Sequence, residues 1–162
     1  MIYEPQLHVV LYEPEIPQNT GNVGRSCLAC GAKLWLVRPL GFRLDAKRLR
    51  RAGLDYWRHL QWEAVDDWDA LLQRLPDRRC WFFSKAARRP YTSVRYGIGD
   101  VLVFGSETQG LPPAVLERHK SRSLRIPVRA PVRSLNLASA VAVVVFEALR
   151  QWDERGEVGP AP

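Results

Sequence analysis

The chain has 162 residues, 46% of them hydrophobic, six Trp and a formal net charge of +7. That length suits one domain with a real core, and the apolar content excludes a disordered chain. No apolar run approaches the roughly 20 residues of a membrane-spanning helix, and the start "MIYEPQLHVV" lacks a basic n-region, so the expected location is the cytoplasm.

"LHVVLY" (7–12) is an apolar run with strand character, and 19–30 reads as a helix that Gly31 closes. Cys27 and Cys30 formally make a C-x-x-C, yet there is no second pair and the three His are scattered. Zinc would want four ligands, and the "CLACGAKLWLV" context is apolar. Both cysteines therefore read as small packed hydrophobes, and no metal is expected. "KLWLV" (33–37) is a second strand, and "DAKRLRRAG" (45–53) a basic helix with Asp45 as N-cap and Gly53 as its stop. "LQWEAV" (60–65) reads as a strand and "DDWDALLQRL" (66–75) as a helix halted by Pro76.

"RCWFFS" (79–84) and "DVLVFG" (100–105) are further apolar strands. "PPAVLERH" (112–119) opens with prolines, which suit a helix's first turn, and "SLRIP" (123–127) is a last short strand. In "SLNLASAVAVVVFEALRQW" (134–152) the stretch "VAVVVF" alone would read as a strand. Length, the small polar start and the "EALRQW" end favour a helix. Being apolar nearly all round, it needs cover from the rest of the chain or from a second subunit. The alternation predicts an α/β domain over 1–153, a mostly parallel sheet with helices on both faces, and a flexible tail over 154–162.

Cations gather in 42–59, 85–90 and 118–133, while acids gather in 63–69. Clustered cations interleaved with Tyr56 and Trp57 favour a polyanionic partner such as RNA over a merely soluble cationic surface.

Three stretches could carry chemistry. Gly21-Asn-Val-Gly24-Arg25-Ser26 follows a strand and opens a helix, but it matches neither the dinucleotide fingerprint nor the P-loop. Gly105-Ser-Glu107-Thr-Gln-Gly110 follows a strand's carboxyl end, where open α/β sheets bind ligands. Glu107 there reads either as an acid stabilised by amides at a helix start or as a ligand contact, and Gly110 would permit a positive φ. In "RIPVRAPVRSLNLASAV" (125–141), Pro127 and Pro131 fix an extended path, and Ser134-Leu135-Asn136 offers a hydroxyl, an amide and backbone donors.

Together "PEIPQNTGNVGRSC", "VLVFGSETQGLP" and "IPVRAPVRSLNLASAVAVVVFEAL", in this order, resemble the three signature motifs of the SPOUT RNA 2′-O-ribose methyltransferases. The resemblance runs over about residues 7–152. It is nearest to the small single-domain members that methylate the wobble nucleotide, C or modified U, in the tRNA anticodon loop. "LYEPEIPQNTGN", "PLGFRLDAKRLRRAGLDYW" and "RSLNLASAVAVVVFEA" carry that nearer likeness.

The resemblance implies a C-terminal trefoil knot, S-adenosylmethionine as cofactor, and a homodimer with its active sites at the interface. It places the cofactor against Phe82, Phe83, Ser84, Gly105, Glu107, Gly110, Ile126, Ser134, Leu135 and Asn136. It assigns catalysis to Arg25, with Asn19, Ser134 and Asn136 facing it, and puts "PQNTGNVGRS" on the RNA side, with Gly21 and Gly24 thinning the backbone. Lys47, Arg48, Arg50, Arg51, Arg129 and Arg133 would grip the anticodon stem-loop through phosphates, a solvated helix face being the plain rival for the first four. That subfamily has a Tyr in the final helix where this chain has Phe146, one hydroxyl contact fewer.

Three other readings compete. One is a related 2′-O-methyltransferase acting on ribosomal RNA or another tRNA site, which the lack of an RNA-binding extension disfavours. Another is an RNA-binding module without catalysis, against which Asn19, Arg25, Glu107, Ser134 and Asn136 all speak. The third, a nucleotide-dependent oxidoreductase, fails on the missing fingerprint.

Overall fold

Apolar runs buried on both faces make parallel strands, and β1 (Leu7–Tyr12), one of the two longest, sits near the middle of the sheet. The computed structural model describes residues 3–45 and 55–157. β1 pairs with β2 (Ala32–Val37), β2 with β3 (Trp62–Val65), and on its other edge β1 pairs with β6 (Val101–Phe104). β4 (Cys80–Phe83) follows β6, then β7 (Ser123–Arg125), then β5 (Arg89–Pro90). The seven-stranded sheet has the order β3-β2-β1-β6-β4-β7-β5, and every pairing is parallel.

Period-two alternation splits the core between the two faces. Leu7, Val9 and Leu11 meet α1 (Pro17–Ala29) and α4 (Leu137–Glu154) on one face. Val10, Trp35 and Val103 meet α2 (Trp68–Arg74) and α3 (Pro113–Arg118) on the other. α1 starts at Pro17, ahead of the expected Asn19, because proline suits the first helical turn. Gly31 closes it at φ +69°, a left-handed conformation that glycine adopts freely. Cys27 and Cys30 are buried and unpaired, and burial pushes the Cys30 thiol up to about 11.

The structure corrects the sequence reading at several places. β3 begins at Trp62 rather than Leu60, which is buried with Trp57 in the core on the α1 side. β5 was not expected, since Arg89–Pro90 has no apolar signal and pairs only with β7. At the C-terminal end, Glu154 closes α4, the Glu157 amide donates to the Trp152 carbonyl at 2.8 Å, and Arg155 donates to the Tyr96 carbonyl at 2.8 Å. Beyond Asp45, the expected basic helix lies outside the described residues. α4 is buried on one side only. Val141, Val144, Val145, Ala148 and Trp152 face inward, whereas Val143 and Phe146 are 37% and 50% exposed.

Among the described residues no helix is long and apolar enough to cross a membrane.

Candidate functional site

The loops that leave the carboxyl ends of β4, β6 and β7 surround a cavity of ≈ 570 Å³. Parallel sheets bind ligands at such edges, and this volume lies within the range of small-molecule sites. Its wall joins residues that the sequence places far apart: Asn19 from α1, Phe83 at the end of β4 and Ser84 after it, the 105–111 loop after β6, and the 133–136 approach to α4 with Leu137 at its start.

Two glycines shape the 105–111 loop for different reasons. A Cβ on Gly105 would lie 2.1 Å from the Gly110 carbonyl carbon and 2.2 Å from the Leu111 nitrogen, so the returning backbone leaves room only for hydrogen. Gly110 has open space around it but φ +66°, and its amide donates to the Ser106 carbonyl at 3.0 Å to close the turn.

Glu107 is tied to the start of α1. One carboxylate oxygen accepts the Glu15 amide at 2.8 Å; the other accepts the Ile16 amide at 3.0 Å and the Asn19 Nδ2 at 3.2 Å. This satisfies donors that the helix cannot pair internally and puts an anion at its positive end. Glu15 returns the contact, accepting from the Thr108 amide and hydroxyl at 3.2 and 2.7 Å, and these bonds hold its carboxyl below the usual range. Asn19 Oδ1 in turn accepts Asn136 Nδ2 at 2.9 Å. Asn136 Oδ1 caps α4, accepting the Ala138 and Ser139 amides at 2.9 and 3.3 Å. The three motifs therefore form one directed chain of hydrogen bonds, from the α4 amides through Asn136 and Asn19 to Glu107, which fixes both amide orientations.

Of the residues expected against the cofactor, Phe83, Ser84, Gly105, Glu107, Gly110, Ile126, Ser134, Leu135 and Asn136 line the cavity. Phe82 does not. Strand alternation turns it to the opposite face, where its ring stacks on His119 at 4.3 Å, while Phe83 stacks on Phe104 at 4.6 Å. Arg133 joins the lining, and Arg129 is exposed on the loop after β7. Lys47, Arg48, Arg50 and Arg51 lie outside the described residues.

Arg25 is exposed on α1 and does not line the cavity. It follows Asn19 by six residues, about 240° around the helix, so the two side chains leave α1 in different directions. Its neighbour is Tyr56, whose ring centroid is 5.8 Å from the guanidinium carbon. Gly24 does not thin a substrate loop. A Cβ there would come within 2.4 Å of the Trp57 ring, so this glycine makes room for the Asp55–His59 turn on α1.

Sequence reasoning missed Glu15 and Lys85, and it named Tyr56 only as an aromatic among clustered cations. Lys85 is exposed on the cavity wall, and only the basic cluster 85–90 hinted at it. Glu15 contacts the 105–111 loop and Tyr56 contacts α1, and no local pattern announces either pairing.

A curated relative from Burkholderia pseudomallei, a tRNA (cytidine(34)-2′-O)-methyltransferase, is 48% identical over 147 residues, covering 89% of this chain and 94% of that protein. A solved structure concerned with the 2-OH methylation of C/U34 on tRNA is 49% identical with a TM-score of 0.86, covering 92% of this chain and 97% of that one. An AdoMet-bound rRNA methyltransferase from Sinorhizobium meliloti superposes with a TM-score of 0.78 at 27% identity, covering 91% of this chain and 57% of that one. The SpoU rRNA methylase family matches residues 6–146, nearly the whole described fold including all three cavity-forming motifs, and the chain belongs to that family.

Proposed function

We propose that this protein methylates the ribose 2′-oxygen of the wobble nucleotide, C or modified U, in the tRNA anticodon loop, using S-adenosylmethionine in the cytoplasm. The observation that carries the reading is the hydrogen-bonded chain Asn136–Asn19–Glu107 at the wall of the cavity, which unites the three motifs. Relatives 47% and 48% identical, each over 89% of this chain, are tRNA (cytidine(34)-2′-O)-methyltransferases by name, which supports the same nucleotide.

The cavity fits S-adenosylmethionine. Gly105 lets the 105–111 loop fold back tightly to form one wall, Phe83, Ile126 and Leu135 supply apolar walls, and the 133–136 segment supplies polar groups at the helix start. When bound, the cofactor supplies an electrophilic methyl group. The chain must then hold the 2′-hydroxyl in line with it and favour the developing negative charge on oxygen. Ser134 at the cavity wall suits the first task and the Arg25 guanidinium the second. A guanidinium with a pKa above about 12 keeps its proton, so Arg25 orients and stabilises. Asn19 and Asn136 keep the site's walls in register.

The active unit is a homodimer with its sites at the subunit interface. Arg25 stands outside its own protomer's cavity, and Val143 and Phe146 leave an apolar face on α4, which packs beside α1. One protomer's Arg25 would complete the partner's cavity. A C-terminal trefoil knot belongs to the same reading; β7 lying beyond β4 in the sheet while α4 packs beside α1 is the arrangement that supports it. Arg129 and Arg133, with Lys47, Arg48, Arg50 and Arg51, hold the anticodon stem-loop through phosphates.

The test is a map of ribose methylation in tRNA from a strain lacking the corresponding gene, with and without this chain restored. Restoration confined to nucleotide 34 is expected; an unchanged map overturns the reading.

A further inference from the structure

The Asp55–His59 turn grips α1 through adjacent aromatic residues. Trp57 seats its ring over Gly24 and is 8% exposed. Tyr56 donates its hydroxyl to the Gly21 carbonyl at 2.7 Å. In an α-helix that carbonyl also receives the amide four residues on, which is the amide of Arg25. The Tyr56 ring therefore hangs from the same turn of helix that carries Arg25. Its centroid lies 5.8 Å from the guanidinium carbon, inside the roughly 6 Å reach of a cation–π contact. Among the described residues no carboxylate pairs with Arg25, and Tyr56 is the group that faces it.

We propose that Tyr56 is a positioning residue for Arg25: the hydroxyl anchors the ring on α1, and the ring face holds the guanidinium in the direction needed to reach the ribose. An arginine has many rotamers, and an unheld one would reach the reacting oxygen in only a fraction of its conformations. A planar cation stacked on an aromatic face keeps its charge and its outward N–H donors available, which pairing with a carboxylate would not. This rests on the reading of Arg25 given above.

The experiment uses the full-length protein with Tyr56→Phe, Tyr56→Leu, Arg25→Lys, Arg25→Ala and the double variant Tyr56→Leu/Arg25→Lys. Tyr56→Leu is expected to lower kcat about tenfold and Tyr56→Phe about threefold, with the Kd for tRNA and the Kd for cofactor unchanged. In the Arg25→Lys background the further loss from Tyr56→Leu should shrink below about twofold, because the two side chains act as one unit. NMR without cofactor or RNA gives an independent readout: the Arg25 side-chain resonances carry a ring-current shift that Tyr56→Phe keeps and Tyr56→Leu removes.

Unmoved Arg25 resonances, full additivity in the cycle, or a loss seen in tRNA Kd instead of kcat each overturn the proposal. The two readings separate cleanly. Full turnover by Arg25→Ala removes the role of Arg25 itself, whereas a dead Arg25→Ala with additive Tyr56 variants removes only the positioning role. Should Tyr56→Leu fail to fold, a Tyr56→Phe variant with unaltered kcat and KM overturns it too.

Discussion

Asn19 and Glu107 meet across 88 residues of chain, the Asn19 Nδ2 donating at 3.2 Å to the carboxylate oxygen that also receives the Ile16 amide. Their bond ties the cavity wall to the start of α1, so its loss should be felt in both stability and turnover. Glu107→Gln keeps the shape but turns one acceptor into a donor, which then faces backbone N–H groups. The expected cost is about 1–3 kcal/mol, seen as a fall in Tm of roughly 3–10 °C. Turnover should fall at least tenfold, because the mispaired clasp loosens the wall that holds Asn19 against Asn136. Thermal denaturation and steady-state kinetics on one preparation check both; a variant with native Tm and native kcat would show that the clasp does neither job.

Gly105 and Gly110 should fail differently. Gly105→Ala forces a methyl to within 2.1 Å of the Gly110 backbone, so the 105–111 loop must open and cofactor affinity should fall at least 100-fold, read by calorimetry. Gly110→Ala meets no atom within 4 Å but pays for φ +66°. About 1 kcal/mol of stability should go, with cofactor affinity changed less than threefold. Equal effects at the two positions would mean that backbone freedom, and not close approach, is what Gly105 provides.

Much of this architecture is readable in the sequence, for a physical reason. Strands buried on both faces have no polar alternation, so "LHVVLY" and "VLVF" stand out as continuous apolar runs and become β1 and β6. The same property hides orientation: in the run that forms β4, both Phe82 and Phe83 are buried, and only their register with β6 and β7 shows which one faces the cavity. β5 escapes because Arg89–Pro90 owes its pairing to β7 alone. Gly24 signals close approach correctly, yet what approaches is a Trp from a later loop and not RNA. Arg25 could be singled out by motif, but its separation from the cavity and its contact with Tyr56 arise only when α1 is folded and the 55–59 turn has docked.

His8 makes stability depend on pH. Its Nδ1 accepts the Trp35 indole N–H at 3.1 Å, its Nε2 is buried with no partner among the described residues, and burial, with Arg78 and Lys33 nearby, lowers its pKa to about 4. The unfolded chain takes up this proton near pH 6.5, whereas the folded protein resists until about 4. The neutral ring's contribution is therefore complete above pH 6.5, falls as pH drops through the interval, and is gone below about 4. The full interval is worth about 3 kcal/mol. His8→Gln retains an acceptor for Trp35 and removes the titration. Denaturant unfolding at pH 7.5 and 4.5 should show a smaller acid loss in the variant than in the native protein; equal losses would acquit His8.

Arg25 and Asn136 provide the sharpest test of where one active site ends. Arg25 leaves α1 away from its own cavity, while Asn136 lines that cavity and caps α4. If the site is shared between subunits, Arg25→Ala and Asn136→Ala should each be inactive alone, yet their mixture should recover. Random re-association makes about half of the dimers mixed. Each mixed dimer holds one cavity with an intact Asn136 faced by the other subunit's intact Arg25, and one cavity lacking both. Specific activity should then return to about a quarter of the native value. Sites built within one protomer predict no recovery at all, because every cavity in the mixture lacks one of the two residues. Val143→Asp with Phe146→Glu places charges on the exposed face of α4 and should yield monomers by light scattering. In those monomers turnover should be lost while cofactor still binds, since the cavity lining comes from one chain. Monomers with native turnover would put Arg25 and the cavity back in a single subunit.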